Sequence, residues 1–245
     1  MAVLLPGTAS TAEFLLRAFG PALAALGIGL VGGDGARDGD VDARLAQLDE
    51  AVDKFRPVLV GGVSIGAHVA ARWASGRLAP SSDGHRPGSP EGCRPEGLLL
   101  AMPAWTGAPG PVAAASAVAA DEVARDGVTA ALRRIRATAA PESRWVVEEL
   151  AAAWPAYSDR ELAATLRATA AAAGPSAEEL GAVGVPCGVA VLRDDSLHPA
   201  AVGRAWADAL PRAAVVETGL AAVGADRAAL GRAAVLAWLR ARASP

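Results

Sequence analysis

Short apolar runs alternate with segments of helical periodicity along this chain, and that alternation constrains its fold more than any other feature. Each run is closed by glycine, proline or a charged residue, as buried strands are. The helical segments between the first runs provide the crossovers that parallel strands require. We therefore predict an α/β protein with a doubly wound, mainly parallel sheet of about six strands. The strand candidates are residues 2–5, 28–33, 58–62, 97–102, 187–192 and 213–218.

The third strand candidate runs into Gly62-Val63-Ser64-Ile65-Gly66, after which a helical pattern begins. A Gly-x-Ser-x-Gly sequence alone is a weak signal, because a chain with 27 glycines produces that spacing easily. Its place between a strand and a helix is the setting of a nucleophile elbow, a strained turn that exposes the serine hydroxyl. Residues without a Cβ are needed two before and two after that serine. The pattern therefore predicts that Ser64 is a nucleophile.

With this elbow, the chain resembles the α/β-hydrolase family from residue 2 to the last helix, excepting residues 77 to 96. The resemblance implies the α/β-hydrolase fold and a serine hydrolase activity. Pro6-Gly7-Thr8, after the first strand, is similar to the oxyanion loop of that family. The two oxyanion donors of the family correspond here to the backbone N–H groups of Thr8 and Ile65. Both would face the negative charge that develops on a substrate carbonyl oxygen.

The acid of the family follows the strand after the inserted helices, and Val191-Leu-Arg-Asp-Asp-Ser-Leu-His-Pro is similar to that strand end. Asp195 matches the family pattern better than Asp194. A carboxylate at the carboxyl end of a parallel strand points into the crevice where open α/β sheets bind ligands. The resemblance thus implies that Asp195 is the catalytic acid.

The resemblance fails at the catalytic base. The histidine of the family follows the last strand, usually after a glycine, but here Gly219 is followed by Leu220. No histidine lies between residue 201 and the C-terminus. The familiar triad therefore cannot be assembled from its usual positions, and fast ester hydrolysis is in doubt, because losing a triad member costs about 10^4- to 10^6-fold in turnover.

Three histidines remain as candidates for the missing role. His198 lies three residues beyond Asp195 and would be either a displaced base or only the start of the next helix, and we expect the second. His68, on the helix that leaves the elbow, is expected to pack beneath the sheet. His85, in a segment rich in proline, glycine and serine at residues 77–96, is expected to be solvated on a surface loop.

Residues 105–182 differ from the rest because Ala-rich helical patterns dominate there without a strand candidate. We predict a helical cap inserted into an α/β-hydrolase core formed by residues 1–104 and 183–245. The cap carries much of the scarce aromatic content: Trp105, Trp145, Trp154 and Tyr157. These side chains would line an acyl or aromatic pocket over Ser64, or would form the core of the cap itself. The sequence leaves both interpretations open.

The bulk composition excludes several classes of partner. A formal net charge of −3 and a pI of about 5.7 provide no basic surface for nucleic acid or anionic membranes. No apolar stretch approaches the roughly 18–20 residues of a membrane span, and the N-terminus lacks the features of a signal peptide. Cys93 and Cys187 are too few for a disulfide framework. We expect a cytoplasmic protein. Lys54 is its only lysine, and this scarcity of lysine is typical of a high-GC bacterial genome.

Two segments look superficially like binding motifs for cofactors or metals. The glycine-rich residues 32–38 lack the last glycine of Gly-x-Gly-x-x-Gly, since Asp38 stands there. The acidic residues 38–42 begin a pattern without the glycine and glutamate that a calcium loop needs at its sixth and twelfth positions. We predict no cofactor and no metal, and a small-molecule substrate or ligand.

Two functions therefore remain open. The first is a serine hydrolase of the esterase or thioesterase type with an atypical base, acting on a small or acyl-chain substrate. The second is a catalytically inactive member of the fold that binds a ligand or acts as an accessory protein. Leu220 at the usual base position motivates the second function, because an apolar side chain there removes proton transfer and leaves the pocket.

Overall fold

The computed structural model describes residues 1–33, 40–78 and 94–244. The predicted surface loop therefore lies mostly outside the described residues, and His85 and Cys93 lie wholly outside them. Most of the glycine-rich segment at 32–38 and the start of the acidic segment at 38–42 fall outside them as well. No helix of the described ranges combines the length and apolarity that crossing a membrane requires.

A sheet of six parallel strands forms the centre of the described chain, which confirms the predicted fold class. The strand order is β2-β1-β3-β4-β5-β6, so the chain starts in the interior of the sheet and extends it first to one side and then to the other. The strands are β1 (Ala2–Leu5), β2 (Leu30–Gly32), β3 (Leu59–Val63), β4 (Gly97–Ala101), β5 (Cys187–Leu192) and β6 (Ala213–Thr218).

Helices cover both faces of the sheet. The helices between the first four strands are α1 (Ala12–Ala24), α2 (Val41–Phe55) and α3 (Ile65–Arg77), and those after β5 are α9 (Ala200–Ala209), α10 (Leu220–Ala225) and α11 (Ala228–Ala243). One core cluster joins α2, α3 and α9 to one face, and a second joins α1, α10 and α11 to the other. The continuous apolar character of β3, β4 and β5 follows from this burial on both faces.

Five helices lie between β4 and β5, where the sequence contains no strand candidate: α4 (Pro111–Asp126), α5 (Val128–Thr138), α6 (Arg144–Ala153), α7 (Asp159–Ala171) and α8 (Ala177–Gly181). Most of their buried apolar side chains belong to a third cluster, separate from the two that cover the sheet. Short 3-10 turns at Pro141–Ser143 and Trp154–Ala156 separate α5, α6 and α7, and each contains a proline, which lacks the backbone N–H that a helix interior uses.

Burial departs from the predicted pattern at the rim of the sheet. The second strand candidate reads as fully buried, but β2 is only half-buried because it is the edge strand. Leu26 continues the apolar stripe of α1 in sequence, yet it lies beyond the end of that helix and is exposed. Arg44 is a charged residue of α2, yet it is only 1% exposed. One of its hydrogen-bond partners lies in the candidate site.

Candidate active site

Ser64 is the single residue between the end of β3 and the start of α3. Its backbone has φ 54° and ψ −119°, a conformation that a residue with a Cβ rarely adopts. Such strain costs on the order of 1–3 kcal/mol and persists only where the surroundings over-determine it. The predicted elbow is therefore present as a strained turn at the carboxyl edge of the sheet.

The two glycines of the elbow are required by contacts with the backbone. A Cβ on Gly66 would overlap the Leu5 carbonyl oxygen and would lie 2.8 Å from that of Pro6. A Cβ on Gly62 would lie 2.7 Å from the Leu5 oxygen. The turn thus packs its own backbone against the end of β1, which leaves no space for larger residues on either side of the serine.

His198 contacts Ser64 in the structure. Its Nε2 lies 3.0 Å from Ser64 Oγ, and its Nδ1 lies 3.0 Å from Asp195 Oδ2. An ionised carboxylate can only accept, so the hydrogen belongs on Nδ1 and the lone pair of Nε2 faces the serine hydroxyl. The expectation that His198 only starts the next helix is wrong, although the histidine does stand two residues before α9.

The Asp195 carboxylate is held by its own loop. Its Oδ1 accepts the backbone N–H groups of Leu197 and His198, at 2.8 and 3.2 Å, while its Oδ2 faces the imidazole. Partial burial alone would raise the pKa of Asp195, but the hydrogen bond and charge of His198 and the two N–H groups lower it below its usual value. The carboxylate therefore stays ionised and keeps His198 in the tautomer that the contact with Ser64 needs.

Strand order explains why this loop reaches the serine. Ser64 follows β3 and Asp195 follows β5, with β4 between them, so the two strand ends are separated by about 10 Å at the usual spacing. One imidazole with a hydrogen bond at each end spans a gap of that size. The signal in the sequence was the spacing Asp-x-x-His at the carboxyl end of a strand.

The predicted oxyanion loop lies against the elbow. A Cβ placed on Gly7 would be 3.6 Å from both Ser64 Cβ and the Val63 carbonyl oxygen. Thr8 follows, and its hydroxyl donates to the buried Thr169 hydroxyl of α7 at 3.3 Å. Ile65 is the first residue of α3, so its N–H belongs to the group of helix-start donors that have no acceptor within the helix. The structure thus places the loop of Thr8 and the N–H of Ile65 beside the same serine.

Solved structures share this architecture along nearly the whole chain, although no protein-family model and no curated protein matches it. A thermophilic esterase from Thermogutta terrifontis gives a TM-score of 0.70 at 16% identity, covering 99% of this chain and 90% of the esterase. A bromoperoxidase from Bacillus anthracis gives 0.70 at 15%, covering 97% and 91%. An enol-lactonase from Burkholderia xenovorans LB400 gives 0.61 at 17%, covering 86% and 79%. The chain has the α/β-hydrolase fold.

Leu220, which the sequence resemblance predicts at the usual histidine position, has a side chain that is only 5% exposed. It packs in the cluster that contains Met102 and Trp145. Its backbone N–H donates to Asp194 Oδ1 at 2.8 Å. The two adjacent carboxylates therefore have different partners: Asp195 contacts the His198 imidazole, and Asp194 caps the turn into α10. Leu220 is thus a packed apolar residue of this chain.

The four aromatic side chains of the predicted cap, residues 105–182, do not form one pocket wall. Trp154 and Tyr157 belong to the separate insertion cluster, Trp145 packs on α1 with its ring centroid 6.2 Å from that of Phe14, and Trp105 lies in the cluster beneath the sheet. These positions favour packing roles. A separate pocket of about 430 Å³ contains none of the predicted site residues; it is lined by Asp40, Val41, Asp42, Arg72, Ala168 and Ala171–Ala173.

Proposed function

We propose that this protein is a serine hydrolase that cleaves carboxylic ester or thioester bonds, with Ser64 as nucleophile, His198 as base and Asp195 as the acid that orients it. The backbone N–H groups of Thr8 and Ile65 are the proposed oxyanion donors. One observation carries the proposal: the 3.0 Å contact between His198 Nε2 and Ser64 Oγ, which is within the reach that general-base catalysis requires.

The proposed first step is acyl transfer to the enzyme. His198 Nε2 takes the proton of Ser64 as Oγ forms a bond to the substrate carbonyl carbon. The N–H groups of Thr8 and Ile65 stabilise the oxygen that becomes negative. The imidazolium then donates its proton to the departing alkoxide or thiolate, which leaves Ser64 acylated. Asp195 remains ionised throughout and stabilises the imidazolium.

The proposed second step is hydrolysis of the acyl enzyme. His198 removes a proton from a water molecule, whose oxygen attacks the acyl carbon, and then returns the proton to Ser64 Oγ as the carboxylic acid leaves. We place the small or acyl-chain substrate between the carboxyl edge of the sheet and the cap, residues 105–182. The proposed location of the protein is the bacterial cytoplasm.

A fluorophosphonate probe and a panel of p-nitrophenyl esters and acyl thioesters test the proposal. We expect the probe to label Ser64 in the wild type and to label neither Ser64→Ala nor His198→Ala at a comparable rate. Turnover of the best substrate should fall by about 10^4-fold or more in Ser64→Ala, because the nucleophile is lost. Absence of labelling and of serine-dependent turnover in the wild type would reject the proposal.

The two neighbouring carboxylates provide a matched control. Asp195→Asn should reduce kcat by about 10^4-fold, since an amide favours the wrong imidazole tautomer. Asp194→Asn should stay within a few-fold of the wild type, because its amide oxygen can still accept the Leu220 N–H. Equal losses in the two variants would contradict the assignment of Asp195. The alternative of an inactive ligand-binding protein is motivated by Leu220 at the usual base position, whereas the contact between His198 and Ser64 favours the hydrolase.

A further inference from the structure

Arg44, in the first turns of α2, is one of four buried polar or charged side chains among the described residues, and it is 1% exposed. The other three are His68, Thr165 and Thr169, so it is the only arginine in that set. Burying a guanidinium costs free energy, and an apolar side chain of similar volume is often as stabilising or more so. Packing alone therefore does not account for an arginine at this position.

The Arg44 guanidinium lies behind the proposed oxyanion loop. Its Nη1 donates to the Pro6 carbonyl oxygen at 3.3 Å, in a buried contact between α2 and the residue that opens the loop. That carbonyl also borders Gly66 of the elbow, where a Cβ would lie 2.8 Å from it. The guanidinium and the elbow thus restrain the same peptide group, two residues before Thr8.

The loop contains backbone strain that needs such restraints. Ala9, directly after Thr8, has φ 48°, an unfavourable value for a residue with a Cβ. Strained residues persist where their surroundings hold them, and they concentrate at functional sites. On the far side, the hydroxyls of Thr8 and Thr169 are in contact and Ala9 packs into the insertion cluster. On the near side, Arg44 holds the Pro6 carbonyl.

We propose that Arg44 is a positioning residue for the oxyanion hole. It fixes the Pro6 carbonyl, and through the short loop it sets the direction of the Thr8 N–H toward the substrate oxygen. This inference rests on the proposed hydrolase function. A misplacement of a catalytic group by about 1 Å costs on the order of 100-fold in rate, so a contact this close to the donor has a measurable effect on kcat.

The test compares Arg44→Met and Arg44→Lys with Arg77→Met, an exposed arginine that pairs with Asp49 on the surface. Methionine keeps much of the apolar stem, and lysine keeps a charge without the planar fork. We expect Arg44→Met to lower kcat for p-nitrophenyl butyrate by about 10- to 100-fold with KM changed less than about threefold. The adduct of butylboronic acid with Ser64 mimics the tetrahedral intermediate. The inhibition constant of Arg44→Met for this compound should therefore rise by the same factor as its kcat/KM falls. Arg44→Lys should be intermediate, and Arg77→Met unchanged.

Two outcomes would overturn the inference: a folded Arg44→Met with kcat within twofold of the wild type, or a loss of kcat without loss of boronate affinity. If Arg44→Met does not fold, Arg44→Lys is held to the same criteria. An inactive wild type rejects the hydrolase proposal by itself. A crystal structure of the variant then tests the positioning role independently, since the Pro6–Thr8 backbone should move away from the elbow, and an unmoved loop would refute it.

Discussion

His68 lies on α3, four residues after Ser64, sealed between two tryptophans. Its ring centroid is 4.7 Å from that of Trp105 and 5.2 Å from that of Trp206. Its Nε2 accepts the Ala104 backbone N–H at 3.1 Å. Burial lowers the pKa of His68 to about 3, with smaller contributions from the charges of His198 and Arg72. The ring is therefore neutral and structural, in agreement with its predicted place beneath the sheet.

A buried neutral His68 makes stability depend on pH. In the unfolded chain its pKa is about 6.5, so between roughly pH 6.5 and 3 the unfolded state binds a proton that the folded state excludes. We expect this residue alone to lower the free energy of unfolding by about 2–3 kcal/mol as the pH decreases from 6.5 to 4.5. Urea titrations at several pH values measure the free energy of unfolding. In His68→Gln this part of its pH dependence should be absent. An equal slope in both proteins would contradict it.

The junction of β3 and α3 shows how an element depends on one glycine and not on another. Gly66 and Gly76 belong to the same helix. A Cβ on Gly66 would collide with the end of β1, whereas a Cβ on Gly76 would meet nothing within 4 Å. The helix also continues past Gly76 to Arg77, so this glycine does not end it. Its φ does not need a glycine.

Alanine at these two glycines should therefore have opposite effects. Gly76→Ala should raise the free energy of unfolding by about 0.5–1 kcal/mol, because alanine has the higher helix propensity and the site is open. Gly66→Ala should lower it by more than about 2 kcal/mol and reduce the labelling of Ser64, since the elbow must shift away from Leu5. Chemical unfolding and fluorophosphonate labelling provide the readouts, and similar behaviour of the two variants would refute the steric argument.

At the scale of the whole molecule, Arg227 joins the helical insertion to the sheet domain. From the start of α11 it donates to Glu149 of α6 at 2.9 Å and to the Gly224 carbonyl at 2.8 Å, and it lies 4.9 Å from the Trp145 ring centroid. Glu149 also pairs with Arg17 of α1. The helix α6 is thus bound to both α1 and α11. A movement of α6 away from the sheet would have to break these ion pairs.

Removing this arginine should weaken the whole fold. Arg227→Ala should lower the free energy of unfolding by about 2 kcal/mol, because it leaves the largely buried Glu149 short of a partner and removes packing on Trp145. The matched control is Arg232→Ala, whose ion pair with Asp226 is more than half exposed and should contribute within about 0.5 kcal/mol. Thermal unfolding of the two variants measures the difference, and equal effects would show that the network is dispensable.

Local patterns of residues by themselves determine much of this protein. Apolar runs and their spacing predict six strands and a parallel sheet, with the bounds of α2, β5 and β6 as observed. The Gly-x-Ser-x-Gly motif locates the elbow, because strain and crowding are properties of five consecutive residues. The strands and the elbow depend on short-range sterics and burial, which a sequence expresses directly. The segments Pro6-Gly7-Thr8 and Asp194-Asp195 are recognised through the resemblance to the α/β-hydrolase family.

Only the tertiary structure decided which histidine meets Ser64. Sequence position placed His198 just before a helix, and it does lie two residues before α9. The contact across 134 residues depends on the strand order and on the turn that closes Asp195 onto its own loop. The burial of Arg44 behind Pro6 likewise depends on how α2 packs on the sheet. Such contacts arise from the mutual placement of distant elements, which no local pattern of residues specifies.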